Sequence, residues 1–120
     1  MISHIFFYMA LSLLLIHEMD AVRCKEWRMI PGFGLVDENA GYLIFLLIHI
    51  PLYFFLFWGL FTPGVKNPLI FGLDIFFIVH LGLHLIFRTH WENHFNSKFS
   101  WALIIGLAVF ASLDLIFTFL

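Results

Sequence analysis

Four long apolar segments, joined by short polar links, make up most of this 120-residue chain. They cover residues 1–21, 38–61, 68–88 and 99–120. Each is close to the length of about 20 residues that a helix needs to cross a hydrocarbon core of about 30 Å. The sequence therefore predicts an all-α polytopic membrane protein. It would form a single domain over residues 1–120, with four transmembrane helices in an antiparallel bundle.

The composition agrees with this prediction and excludes some functions. The chain is 62% hydrophobic, and only 12% of its residues are charged, about half the fraction of roughly 25% found in soluble domains. The net charge is −2 and no basic stripe is present, so nucleic acid is not an expected partner. The single Cys24 cannot form an internal disulfide. The expected surroundings are membrane lipid.

Basic residues are distributed unevenly between the two ends of the predicted bundle. The end that holds the first and third loops carries five of them, and the other end carries one. The five are Arg23, Lys25, Arg28, Arg88 and Lys98; the one is Lys66. Under the positive-inside rule, the first and third loops lie in the cytoplasm. Both termini are then predicted to lie outside.

Seven histidines are present, and four of them reach similar depths in the predicted membrane. At about 1.5 Å of rise per residue, His17 and His84 lie about 6–8 Å from the cytoplasmic helix ends, His80 about 12 Å and His49 about 16 Å. His80 and His84 are four residues apart and therefore project from one helix face. These side chains are expected to share one layer of the bundle, toward the cytoplasm.

Such a layer predicts a metal site. Ionisable side chains are expensive in hydrocarbon, and bundles build metal sites from inward residues of facing helices. The predicted metal ligands are His17, Asp20, His49, His80, His84, His90 and His94. His90 and His94 lie near the predicted membrane interface, where contact with water or lipid head groups fits as well as metal binding does. For Asp20 three roles are open: it binds the metal, it orients a histidine, or it caps the loop.

The chemistry of this site depends on the metal. Three histidines around zinc with an open position would activate a bound water for attack on an ester or amide, with Glu18 as the predicted general base. Iron with imidazoles and a carboxylate would leave positions open for O₂. Because the site is reached from within or beside the bilayer, an apolar, lipid-like small molecule is the expected substrate.

The segment from His17 to Arg28 resembles the signature of a protein family. Its His-Glu-x-Asp-Ala…Glu-Trp-Arg pattern resembles an uncharacterised family of small four-helix bacterial membrane proteins, which implies location in a bacterial inner membrane. The His-x-x-x-His pairs at His80/His84 and His90/His94 are similar to boxes of the membrane fatty-acid hydroxylases and desaturases. A likeness to intramembrane zinc hydrolases rests on one such pair, a further histidine and a carboxylate.

Three other functions remain open from the residues. A haem-binding electron carrier needs two axial histidines, such as His49 and His80. An ion or proton translocator would use the histidines with Asp74 and Asp114, which are predicted to lie level with each other. Those two carboxylates suit a structural hydrogen bond as well. A small structural subunit of a larger membrane complex also fits the length, and a homo-oligomer is a further expectation.

The first loop and the N-terminus carry two minor predictions. Asp20, Arg23, Glu26 and Arg28 alternate in sign within nine residues, and the spacing of three allows pairing along a helix face. We expect this segment to fold over the histidine layer as a lid. His4 lies at the opposite end of the first helix and is predicted to have no role.

Overall fold

The computed structural model describes residues 3–29, 37–91, 93 and 97–119, and this part of the chain is helical without strands. The four long helices are α1 (Ile5–Arg23), α2 (Glu38–Leu60), α3 (Lys66–Ile86) and α4 (Lys98–Asp114). Short 3₁₀ helices follow at Glu26–Met29 and Phe87–Thr89, and a π-helical turn extends α4 over Leu115–Phe119. The predicted all-helical, four-helix fold is therefore confirmed.

Side-chain caps explain where two of the helices begin. The Asp37 carboxylate accepts a hydrogen bond of 2.6 Å from the Ala40 N–H, and the Ser97 hydroxyl accepts one of 3.0 Å from the Ser100 N–H. Each bond satisfies a backbone donor that has no partner within the helix. α3 begins at Lys66, two residues before the prediction, because Pro68 fits within a first helical turn, where its missing N–H is not needed.

The helices pack unevenly. α4 lies along both α1 and α3, whereas α2 packs against α3 and the 3₁₀ helix Glu26–Met29 and makes few contacts with α1. In the half of the molecule that lies toward the start of α1, Phe7 and Phe77 stack with ring centroids 6.3 Å apart. The buried apolar cluster there contains Phe7, Ala10, Leu11, Leu56, Leu60, Ile70, Phe77, Leu107 and Ala111. α2 is consequently the most peripheral helix.

A buried polar cluster ties the start of α1 to α3 and α4. The Asp114 carboxylate accepts hydrogen bonds from His4 Nδ1 at 3.1 Å and from the Phe7 N–H at 3.3 Å. Asp74 is fully buried, and its carboxyl group lies close enough to that of Asp114 for the two to interact. His4 is only 6% exposed, and the prediction that it has no role is wrong. Its ring pairs with a carboxylate that also caps the first helix.

All four helices are long and apolar enough to cross a membrane, with spans of 19, 23, 24 and 22 residues. Large apolar side chains also cover the outer faces. On α2, Phe54 and Phe55 are 63% and 62% exposed, and Val79 on α3 and Val109 on α4 are about half exposed. Such a surface is consistent with an apolar solvent rather than water. These features agree with an integral membrane protein.

Candidate metal centre

Three histidines from two helices converge inside the bundle. His17 of α1 meets His80 and His84 of α3, and one ring nitrogen of each lies within 4.8 Å of the others. The rings contact edge to face, with centroids 4.8 Å apart for His17–His80, 5.2 Å for His17–His84 and 4.5 Å for His80–His84. All three are buried, at 0%, 7% and 6% exposure. This is the only group of its kind among the described residues.

Helical spacing explains why these side chains face inward. The buried residues of α3 recur every three or four positions along one face: Ile70, Asp74, Phe77, His80 and His84. Residues three and four apart share a helix face, so the face that packs on α1 and α4 also carries both histidines. His17 occupies the corresponding inward face of α1, between Leu11 and Asp20. The bundle therefore positions the three rings without any loop.

The distance between the histidine nitrogens suits a shared ion. Nε2 of His80 and Nε2 of His84 lie 3.1 Å apart. Zinc–nitrogen bonds of 2.0–2.1 Å in a tetrahedral site would place two nitrogens about 3.3 Å apart. Without a metal, this contact requires a proton on one of the two nitrogens, because two bare lone pairs repel. A metal would take the place of that proton with little movement of the rings.

Glu26 is a carboxylate at this site that the sequence placed in the expected lid, but not among the predicted ligands or as the general base. Its Oε2 atom is buried without a hydrogen-bond partner among the described residues and lies 3.9 Å from His17 Nε2. Burial and the neighbouring Glu18 carboxylate raise the pKa of Glu26, His49 lowers it, and the result is a pKa of about 7. Lys25, at φ 53°, reverses the chain after α1. This reversal carries Glu26 back toward His17, and neither composition nor spacing reveals it.

Glu18 and His49 form a hydrogen-bonded pair beside the three histidines. His49 Nε2 lies 2.5 Å from Glu18 Oε2, and His49 Nδ1 lies 2.6 Å from the Phe45 carbonyl oxygen. The carbonyl only accepts, so Nδ1 carries a hydrogen. The short contact on the other side is a hydrogen bond between Nε2 and the Glu18 carboxyl group. We call these two residues the Glu18–His49 dyad.

The structure places Asp20 in a clamp between α1 and α4. Its Oδ1 accepts from Arg23 Nε at 2.9 Å and from Arg23 Nη2 at 2.7 Å, and its Oδ2 accepts from the Ser100 hydroxyl at 2.6 Å. Ser100 is fully buried. Both carboxylate oxygens are therefore engaged away from the histidine group. Of the roles that the sequence left open for Asp20, this geometry favours a structural one.

The described part of the first loop packs on α2 and reaches the three-histidine group. Trp27 is 3% exposed and packs against Tyr42 and Phe45 of α2, with ring centroids 6.0 and 5.5 Å apart. Arg28 contacts the Glu38 carboxylate at 3.5 Å. The predicted Asp20–Arg23 pair is present at 2.7 Å. The segment thus lies on the ends of α1 and α2, and Glu26, rather than an arginine, is the residue that it brings to the histidines.

A family model covers nearly the whole chain. The model of a family of unknown function (DUF6713) matches residues 3–120. The chain belongs to this family. The match confirms the family resemblance that the His17–Arg28 segment carries. No curated protein and no solved structure matches the chain.

In this DUF6713 member the other predicted ligands that the structure describes lie outside the three-histidine group. His49 is engaged with Glu18 as described. His90 follows the 3₁₀ helix after α3 and its ring stacks on Trp91, with centroids 6.0 Å apart. His94 lies outside the described residues. Among the described residues the structure thus assembles His17, His80 and His84, with Glu26 and the Glu18–His49 dyad at their side.

Proposed function

We propose that this protein is an integral membrane metalloenzyme in which His17, His80 and His84 bind one zinc ion. The supporting observation is the convergence of three buried imidazole nitrogens within 4.8 Å. Three histidines with one open position are a typical catalytic zinc set. The proposed reaction is hydrolysis of an ester or amide in a lipid-like substrate, at a site in the cytoplasmic half of the membrane.

The nature of the donors favours zinc over the other cofactors considered. Non-haem iron oxygenases use two histidines and one carboxylate, whereas the group here contains nitrogen donors alone. Haem needs its two axial histidines on opposite faces of a wide macrocycle. The three rings instead contact one another at centroid distances of 4.5–5.2 Å, which leaves no room for a porphyrin between them.

The neighbouring carboxylates supply the proton transfers that hydrolysis needs. When bound, zinc would supply a water of lowered pKa as the nucleophile. Glu26, 3.9 Å from His17 Nε2, would take the proton that this water releases and pass it to the leaving oxygen or nitrogen as the bond to the carbonyl carbon breaks. The Glu18–His49 dyad, which interacts electrostatically with Glu26, is the proposed group that exchanges protons with it.

Metal analysis tests this proposal. The purified protein, in nanodiscs, should contain about one zinc per chain by inductively coupled plasma mass spectrometry, and His84→Ala should lose it. Loss of an outer hydrogen-bond partner alone costs 10–100-fold in metal affinity, so loss of a ligand should cost at least about 100-fold. His90→Ala is the matched control and should keep its zinc, since His90 lies outside the group.

Two results would contradict the proposal. Equal zinc content in the wild type and a His80→Ala/His84→Ala double variant would show that the metal binds elsewhere. Iron in place of zinc, with the same dependence on these histidines, would support the oxygenase instead. The fold of each variant is checked by circular dichroism and by elution as a single species, so that loss of metal is not confused with loss of structure.

A further inference from the structure

An apolar cleft of about 410 Å³ runs between α1, α2 and α3. Its wall combines aliphatic and aromatic side chains with one carboxylate, that of Glu18, and one tyrosine, Tyr53. The other lining residues are Leu14, Leu52, Phe55, Leu56, Leu69, Leu73, Phe76 and Phe77. Phe76 also contacts the ring of His80, with centroids 5.9 Å apart. The cleft therefore extends to the edge of the metal centre.

The position of α2 creates this cleft. α2 packs on α3 and makes few contacts with α1, so a gap is left between them. Leu52 and Phe55, on the α2 wall, are 56% and 62% exposed. They mark a lateral opening on the apolar outer surface, at the level where the helices would face lipid. A ligand can thus enter from the membrane without crossing the helix ends.

One end of the cleft is polar, and its polar groups already pair with each other. Glu18 lines this cleft and also a smaller cavity of about 180 Å³, whose lining includes His49 and Tyr53. The rings of His49 and Tyr53 lie 5.5 Å apart. Glu18 is paired with His49, and no lysine or arginine is among the described residues that line the cleft. A charged head group would therefore gain no unpaired opposite charge there to offset the loss of its water, whereas a neutral polar group can hydrogen-bond to the pair.

We infer that this cleft binds a neutral single-chain lipid, with its acyl chain between α1, α2 and α3 and a hydroxyl or ester head at Glu18 and His49. An apolar cavity of 150 Å³ holds the six carbons of benzene, so 410 Å³ accommodates roughly sixteen carbons at the same density. The inference rests on the proposed function only where it names the lipid as the substrate; binding itself requires no metal.

Ligand binding in nanodiscs of phosphatidylcholine tests the inference. The probe is tritiated 1-palmitoylglycerol, and the blocking variant is Leu52→Trp, which enlarges an exposed side chain at the mouth of the cleft. Leu47→Trp is the matched control, since Leu47 is also on α2 and 60% exposed but does not line the cleft. We expect Leu52→Trp to weaken binding more than tenfold and Leu47→Trp to change it less than twofold.

Competition defines the head group. Hexadecanol should displace the probe, whereas palmitate and hexadecylamine should displace it at least tenfold less well. Equal displacement by the charged compounds would contradict the preference for a neutral head group. Saturable binding that Leu52→Trp leaves unchanged would show that the lipid does not bind in the cleft. Displacement of the probe in proportion to added phosphatidylcholine would show that bulk lipid fills the cleft, which also contradicts the inference.

Zinc content, measured on the same samples, separates the two proposals. Zinc bound by the three histidines without saturable binding of palmitoylglycerol contradicts the cleft inference and leaves the metalloenzyme intact. Saturable binding that Leu52→Trp blocks, in protein that binds no zinc, supports the cleft inference and contradicts the metalloenzyme. Leu52→Trp should keep its zinc, because Leu52 lies on the cleft wall and not at the histidines.

Discussion

The carboxylate of Asp114, at the end of α4, lies 3.1 Å from Nδ1 of His4, at the start of α1. The same carboxylate accepts from the Phe7 N–H, one of the donors that a helix leaves unpaired in its first turn. A negative charge at this position is also favoured by the helix dipole. Asp114 thus joins the last helix to the first, at the end of the molecule away from the three histidines.

Replacement of Asp114 should therefore destabilise the bundle without affecting the metal. In Asp114→Ala the Phe7 N–H and the His4 ring lose their partner inside the protein, and each such loss costs about 1–3 kcal/mol. The free energy of unfolding, measured by denaturant titration in mixed micelles, should fall by about that amount or more. Ser112→Ala is the control on the same helix, because Ser112 bonds only to the Ala108 carbonyl of its own helix. A fall of equal size in Ser112→Ala would contradict this role for Asp114.

The sequence predicts the helices well because the length of an apolar segment is a local property. The four apolar segments match α1 to α4 within a few residues. The pairing of His80 with His84 follows from the helical repeat alone. Each of these features depends on residues that are close in the chain.

Contacts between helices are less predictable. Depth places His49 near the level of the other histidines, but the rotation of α2 about its axis is set by packing, and it directs His49 toward Glu18. Glu26 reaches His17 through a reversal at Lys25, which the charge pattern does not reveal. His4 is buried against Asp114 and Phe119, near the other end of the chain. All three outcomes depend on residues far apart in the chain.

A substitution of Asp20 tests whether this carboxylate joins α1 to α4 or binds the metal. Asp20→Asn weakens the charge-assisted bonds from Arg23 and leaves a neutral amide facing the buried Ser100 hydroxyl. Hydrogen bonds to charged groups contribute about 1.5–3 kcal/mol, so thermal stability should fall while the zinc content stays at the wild-type value. Ser12→Ala, at an exposed hydroxyl of the same helix, should leave both unchanged. Loss of zinc from folded Asp20→Asn would show that this carboxylate binds the metal.

Glu26 is expected to act in proton transfer rather than in metal binding. Glu26→Gln keeps the size of the side chain but cannot accept a proton, and general-base catalysis typically contributes 10²–10⁴-fold. The kcat for hydrolysis of a long-chain p-nitrophenyl ester should fall by about 100-fold or more, with zinc retained. Glu38→Gln is the matched control, because Glu38 pairs with Lys25 at the protein surface. If Glu26→Gln loses zinc, Glu26 is instead a fourth ligand.

The five-to-one distribution of basic residues between the two ends of the bundle predicts the orientation of the protein. Reporter fusions placed after Lys66 should be active outside the cytoplasm, and fusions within residues 22–37 should be active inside. A variant that moves the excess of positive charge to the other end of the bundle should reverse the pattern of reporter activity. It replaces Arg23, Lys25 and Arg28 with glutamine and adds three lysines beside Lys66. The histidines lie on the side of the first loop, as the contact of Glu26 with His17 shows. Wild-type reporters in the opposite pattern would therefore place the metal centre toward the outside and contradict a cytoplasmic one.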